Sequence, residues 1–167
     1  MKGGILKLTQ MSTFQLQSNS FKNHGTIPIV NTVKGKNLSP PLAWKGSPEN
    51  TKSYALICID LSTPLKLITH WIIYNIPPDY NELPEGIPVQ SFLTDGICQG
   101  RNWKREPGYT GPNPPFGKHN YLFKLFALGI LLEKDEKMTR KKLLQKMKNH
   151  ILAEAEIIGS YPGNLRA

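Results

Sequence analysis

The chain has 167 residues, with 21 Lys and Arg against 12 Asp and Glu, a formal charge of +9 at pH 7, 39% hydrophobic residues and a mean hydropathy of −0.35. That length suits one domain able to bury a core without staples, and no apolar run approaches membrane-spanning length. Residues 1–11 hold too few strong apolars for a signal sequence, so the expected location is the cytoplasm, and the positive charge favours acidic partners.

The 14 Gly and 14 Pro are spread along the chain, which predicts many short elements joined by shaped loops, a mainly β architecture. Residues 1–167 read as a single domain, with residues 1–12 as a poorly packed N-terminal extension. Phe14 and Leu16 alternate with polar neighbours and predict a half-buried first strand. Residues 21–25 read as a turn and residues 27–30 as a short edge strand, because Pro28 lacks a ladder donor. Residues 35–44 form a loop stiffened by Pro40 and Pro41, with Trp44 as a packing residue.

Residues 53–60 are almost continuously apolar and end on Asp60, the pattern of a central strand covered on both faces. Residues 70–76 begin on His70 and form the next strand; pairing through the loop 61–69 would let Asp60 and His70 meet. Residues 84–100 are loop-rich. Residues 108–121 contain three glycines and three prolines, which excludes both helix and an ordinary ladder and makes a rigid rim ending in His119 and Tyr121. Residues 122–128 read as the last strand. After it, Thr139 caps a predicted helix with Leu144, Met147, Ile151, Ala155 and Ile158 on its apolar face, stopped by Gly159 and Pro162. Seven basic residues between Lys134 and Lys148 are read as a solvated face.

Cys58 and Cys98 stand in unlike surroundings without metal-ligand spacing, and are expected as buried free thiols. No GxSxG, HExxH, GxxxxGK[ST] or GxGxxG occurs, so no catalytic residue, resident metal or cofactor is assigned. What remains is convergence of Asp60, His70 and His119 from three segments. With the hydroxyls of Tyr109 and Tyr121 and the loop amides they suit an anion pocket, in which Asp60 fixes the tautomer of His70, accepts a proton from a P–OH group or receives an ammonium group. Nucleic acid is not expected, since few aromatics interleave with the basic run.

The motifs of residues 37–44 (NLSPPLAW), 51–56 (TKSYAL), Asp60 with Pro64, His70-Trp71 followed by Asn75-Ile76-Pro77, and the 108–121 stretch resemble the phosphatidylethanolamine-binding protein family, closest to its bacterial and archaeal branch, which is Raf kinase inhibitor protein-like. The resemblance implies an antiparallel β-sandwich with peripheral helices, one near the C-terminus. It implies a small pocket at Asp60, His70, Gly111, Pro112, His119 and Tyr121 for an anionic or phosphorylated ligand, and binding rather than enzymatic activity. Inhibition of a serine protease or kinase through exposed loops is the alternative it implies, and a second copy of the chain is a further candidate partner. Three positions depart from the pattern of the family: Ser62 stands where a second carboxylate is frequent, Asn120 where the animal and plant branch has an arginine, and Trp103 where many members have an aspartate, which predicts a less acidic, more apolar mouth.

Overall fold

The computed structural model describes residues 13–163; the extension expected over residues 1–12 lies outside them. Nine regular elements follow in order: β1 (Gln15–Gln17), β2 (Leu42–Lys45), β3 (Ser53–Asp60), β4 (Ile68–Ile76), β5 (Glu82–Leu83), β6 (Cys98–Gln99), β7 (Lys118–Leu128), α1 (Arg140–Met147) and β8 (Ile151–Pro162), with short 3-10 turns at Ile29–Asn31 and Thr94–Gly96. They form a three-stranded sheet ordered β1-β2-β5 and a five-stranded sheet ordered β6-β4-β3-β7-β8. Every named strand pair is antiparallel.

All eight residues of β3 are buried because the larger sheet is covered twice. Tyr54, Leu56 and Cys58 face the small sheet with Trp71, Phe123, Leu42 and Trp44, while Ala55, Ile57 and Ile59 face Leu132, Met138, Leu143 and Met147. A strand buried on both faces needs no polar alternation, hence its continuous apolar run. Trp44 is buried as expected, its ring 5.2 Å from that of Tyr54, although it belongs to β2 rather than to a loop. Cys58 and Cys98 are buried free thiols.

Two expected elements are corrected. Residues 27–30 make no strand: Thr26 bridges Ser160 once, then Pro28 withholds a donor and the chain turns into the 3-10 segment. The C-terminal helix is also shorter than its apolar spacing indicated. Thr139 does cap it, its side chain accepting from the Lys142 amide, but it ends at Met147, and Asn149, at φ 69°, reverses the chain into β8. Leu143 and Met147 are its buried residues, whereas Leu144 is exposed. From residue 151 the period is two: Ala155, Ile157 and Gly159 face inward along β7, while Glu154 faces out and pairs with Lys124 at 3.0 Å. Gly159 stops nothing. It admits Ile27, whose Cγ1 would lie 2.5 Å from an added Cβ.

Candidate functional site

The register of the large sheet places the site. Asp60, at the end of β3, lies opposite Tyr121 of β7, and His119 two residues earlier on β7 shares that face. On β4 the pairing jumps from Ile59–Thr69 to Cys58–Trp71, so His70 is the extra residue of a β-bulge. Without it, alternation would send either His70 or Trp71 to the opposite face; with it, both side chains point inward. The rings confirm this, since His70 stands edge-on to Tyr121 at 5.1 Å and His119 lies 6.4 Å from the same ring.

These side chains line a cavity of about 540 Å³. One lip is residues 61–64, held by the Leu61 amide donating to the Asn120 carbonyl at 2.8 Å and the Asn120 amide donating to Ser62 Oγ at 2.9 Å. The other is the proline-rich rim, pinned where the Thr110 amide donates to the His70 carbonyl at 3.0 Å and the Gly111 amide to Asn37 Oδ1 at 2.7 Å. Trp103 and Phe116, each more than half exposed, complete the mouth. Asp60 is the only acid among the described lining residues, and most other wall groups are apolar; of the three departures noted in the sequence, Ser62 and Trp103 line the cavity and Asn120 does not.

Asp60 is an anchor. Its Oδ2 accepts from His119 Nδ1–H at 2.7 Å and its Oδ1 from the Ser62 amide at 2.8 Å. The expected partnership of Asp60 with His70 is therefore corrected: His70 Nδ1–H donates to the Thr110 carbonyl at 2.7 Å. In each ring Nδ1 is committed to an oxygen, leaving Nε2 as the nitrogen open to a ligand. Burial holds the His70 imidazole below its ordinary value, opposed by the Thr110 carbonyl and the Asp60 charge. Burial, aided by Asp60, pushes the Tyr121 hydroxyl up, so it stays a neutral phenol.

Of the residues singled out in the sequence, Asp60, His70, Gly111, His119 and Tyr121 line one cavity. Tyr109 does not join them: it is buried edge-on against Trp71 and donates its hydroxyl to the Asn31 carbonyl at 2.7 Å. Pro112 is buried behind the rim, its carbonyl accepting from the Val33 amide. Thr63, Ile68 and Asn113 line the cavity unannounced, because short polar or apolar residues in such loops carry no pattern of their own. Among the described residues no group of three or more His, Cys, Asp or Glu is placed to hold a metal ion.

Gly111, the glycine among the described lining residues of the cavity, has no room for a side chain. An added Cβ would lie 2.4 Å from the Asn31 carbonyl oxygen and 2.8 Å from Thr32 Cα, both backbone. Gly111→Ala is expected to cost about 1–3 kcal/mol by overpacking, and to weaken ligand binding by shifting the rim. Denaturant melts and a phosphate titration of the variant check both.

A family model described as phosphatidylethanolamine-binding protein matches residues 17–162. A UPF0098 protein of Methanothermobacter thermautotrophicus is 44% identical over 146 residues, covering 87% of this chain and 97% of that protein. Among solved structures, a proposed homologue of the same family from Chlamydia trachomatis superposes with a TM-score of 0.84 at 35% identity, covering 92% of this chain and all of that one. Escherichia coli YbcL, a new member of the mammalian PEBP family, gives 0.83 at 31% identity, covering 90% of this chain and 98% of its own.

Proposed function

The chain belongs to the phosphatidylethanolamine-binding protein family, and from that membership we propose that it is a non-enzymatic binding protein whose pocket takes the phosphoryl group of a small ligand between His70 and His119. One observation carries the reading: both imidazoles line one cavity with Nδ1 engaged, by Thr110 and by Asp60, and Nε2 left for the ligand. An anion accepts from Nε2–H once a ring is protonated; a P–OH group donates to Nε2 while the ring is neutral. A binding role is supported by the lip, where the Ser62 hydroxyl accepts from the Asn120 amide and has no hydrogen bond to either imidazole. We place the protein in the cytoplasm, where Cys58 and Cys98 persist as thiols. No helix among the described residues is long and apolar enough to cross a membrane.

The test is pH dependence with two probes. Sulfate carries no proton to donate, so its affinity rises as pH falls through and below the imidazole range, the rise extending lower for His70, whose value is depressed. Inorganic phosphate, able to donate its own proton, holds on to higher pH. Calorimetry with both anions reads the difference, and a flat sulfate profile refutes the reading. The same shift affects stability. The unfolded chain protonates His70 near its ordinary value of about 6.5, before the folded chain does, so stability present above that value is lost as pH falls towards the depressed folded value. Bound anion offsets that loss.

A second reading, a module that inhibits a protease or kinase through exposed loops, is favoured by Leu65, 98% exposed just past the lip, and by Phe116, 56% exposed on the rim. Inhibition that survives loss of both imidazoles supports it.

A further inference from the structure

A larger concavity, about 1200 Å³, adjoins the imidazole pocket, and Ile68 and Trp103 stand on the walls of both. Three segments enclose it: the loop entering β4, the turn at residues 101–105, and the start of α1. They are tied together by the Trp103 amide donating to the Thr69 carbonyl at 2.9 Å, the Arg101 amide to the Met138 carbonyl at 2.8 Å, and Arg140 Nη2 to the Leu67 carbonyl at 3.3 Å. Six cationic residues line it, Lys66, Arg101, Arg105, Lys137, Arg140 and Lys141, and none of its described lining residues is acidic.

The sequence reading of a solvated basic face does not account for this arrangement. A solvated run spreads its charges and points them at water, whereas here cations from three segments line one hollow. Two of them keep donors in reserve: Arg101 Nε and Arg140 Nη1 are buried without an acceptor. Arg101 spends Nη1 on the Arg105 carbonyl at 2.9 Å, which shapes the turn. Burial pushes the Arg140 guanidinium below its ordinary value, the sign of a charge taken from water without a counter-charge. Asp135, one of the acids before α1, is already taken by Lys142 at 3.2 Å, and Glu133 and Glu136 are not among the cleft's lining residues. Guanidinium donors in a concave site without carboxylates match phosphoryl oxygens.

We propose that this cleft is a second anion subsite, so that the protein takes a small molecule bearing two phosphoryl groups, one between the imidazoles of His70 and His119 and the other among the cations of the cleft, spanning Trp103. The inference rests on the phosphoryl reading of the imidazole pocket. The shared wall favours one two-headed ligand over two unrelated ones: Ile68 and Trp103 bound both compartments, so a single linker running past them joins the two, and a second group held on the same molecule binds at high effective concentration.

The experiment compares hexyl monophosphate with hexane-1,6-diol bisphosphate by calorimetry, on the whole chain, in wild type and in a Lys66→Gln/Arg105→Gln/Lys141→Gln variant, whose three sites are all exposed. The bisphosphate is expected to bind wild type about tenfold or more tightly than the monophosphate, and the variant is expected to lose that advantage while binding the monophosphate as before. Arg140→Gln, confirmed as folded by its melting profile, is expected to reduce the advantage as well. Equal affinities in wild type, or an advantage that survives in the triple variant, overturn the proposal. If the monophosphate fails to bind at all, the reading of the imidazole pocket falls, and with it the two-headed ligand; a bisphosphate that still depends on the cleft cations would then mark a lone anion site.

Discussion

Replacing His70 and His119 together with alanine is expected to lower inorganic phosphate affinity by about 100-fold or more at mildly acidic pH. A hydrogen bond with a charged partner, here the phosphate or a protonated ring, is worth about 1.5–3 kcal/mol, so two lost together amount to about 3 kcal/mol or more, and each 1.4 kcal/mol is about tenfold. The double variant should also bind sulfate with no pH dependence left. The single variants differ. His119→Ala leaves Asp60 Oδ2 without its partner, an uncompensated carboxylate where the anion must sit, so it should weaken binding more than His70→Ala does. Adding Asp60→Asn to His119→Ala should then recover part of the affinity, because it removes the repulsion without restoring a donor. Titration calorimetry across this series measures each step. Wild-type affinity in the double variant would place the phosphoryl group elsewhere.

Trp71→Ala is expected to cost about 3–5 kcal/mol, the largest stability effect considered for this chain. Trp71 is fully buried, stacks edge-on against Tyr109 at 5.6 Å, and donates its indole N–H to Gln99 Oε1 at 2.7 Å. Truncation removes that bulk and orphans an acceptor on a buried glutamine. For a domain of this size the cost corresponds to a fall in Tm of about 6–20 °C. Trp103, 54% exposed at the mouth, is the control: its alanine variant should change stability by about 0.5 kcal/mol or less. Thermal melts followed by circular dichroism separate the two, and a loss below about 1 kcal/mol for Trp71→Ala would contradict the packing described. Because His70 and Trp71 share the bulge, the Trp71 variant should also loosen the imidazole and weaken phosphate binding.

Much of the site was legible in the linear order of residues. Asp60 closes an apolar run too short and too uniform for anything but a covered strand, His70 opens the next, and His119 follows a rim that its prolines deny to helix or ladder. Strand ends joined by a short loop meet at one edge of a sheet, so the meeting of these groups could be anticipated. Tyr109 shows the limit. It sits in the same rim, yet its hydroxyl serves the Asn31 carbonyl and its ring packs against Trp71, a choice set by the path of residues 29–37 beneath it.

Residues 151–158 show a different limit. Ile151, Ala155 and Ile158 recur at helical intervals, while Ala153, Ala155 and Ile157 recur at strand intervals, and both patterns are present in the same letters. Eleven paired positions along β7, with Lys124 meeting Glu154, select the strand. The basic residues after Lys134 illustrate the same point for function. Read alone they suggest a wet face, but folding brings Lys137, Arg140 and Lys141 against Arg101, Arg105 and Lys66, which lie at least thirty residues earlier.

The order of residues by itself determined which segments are extended, which loop is stiff and which polar groups stand at strand ends, because these depend on φ restriction and apolar spacing within a few neighbours. Tertiary structure alone decided that His70 is the bulged residue, that Asp60 holds His119 rather than His70, and that scattered cations share one cleft. Those outcomes depend on register between strands, and register is set by burial on both faces of the sheet at once, which no local stretch of chain contains.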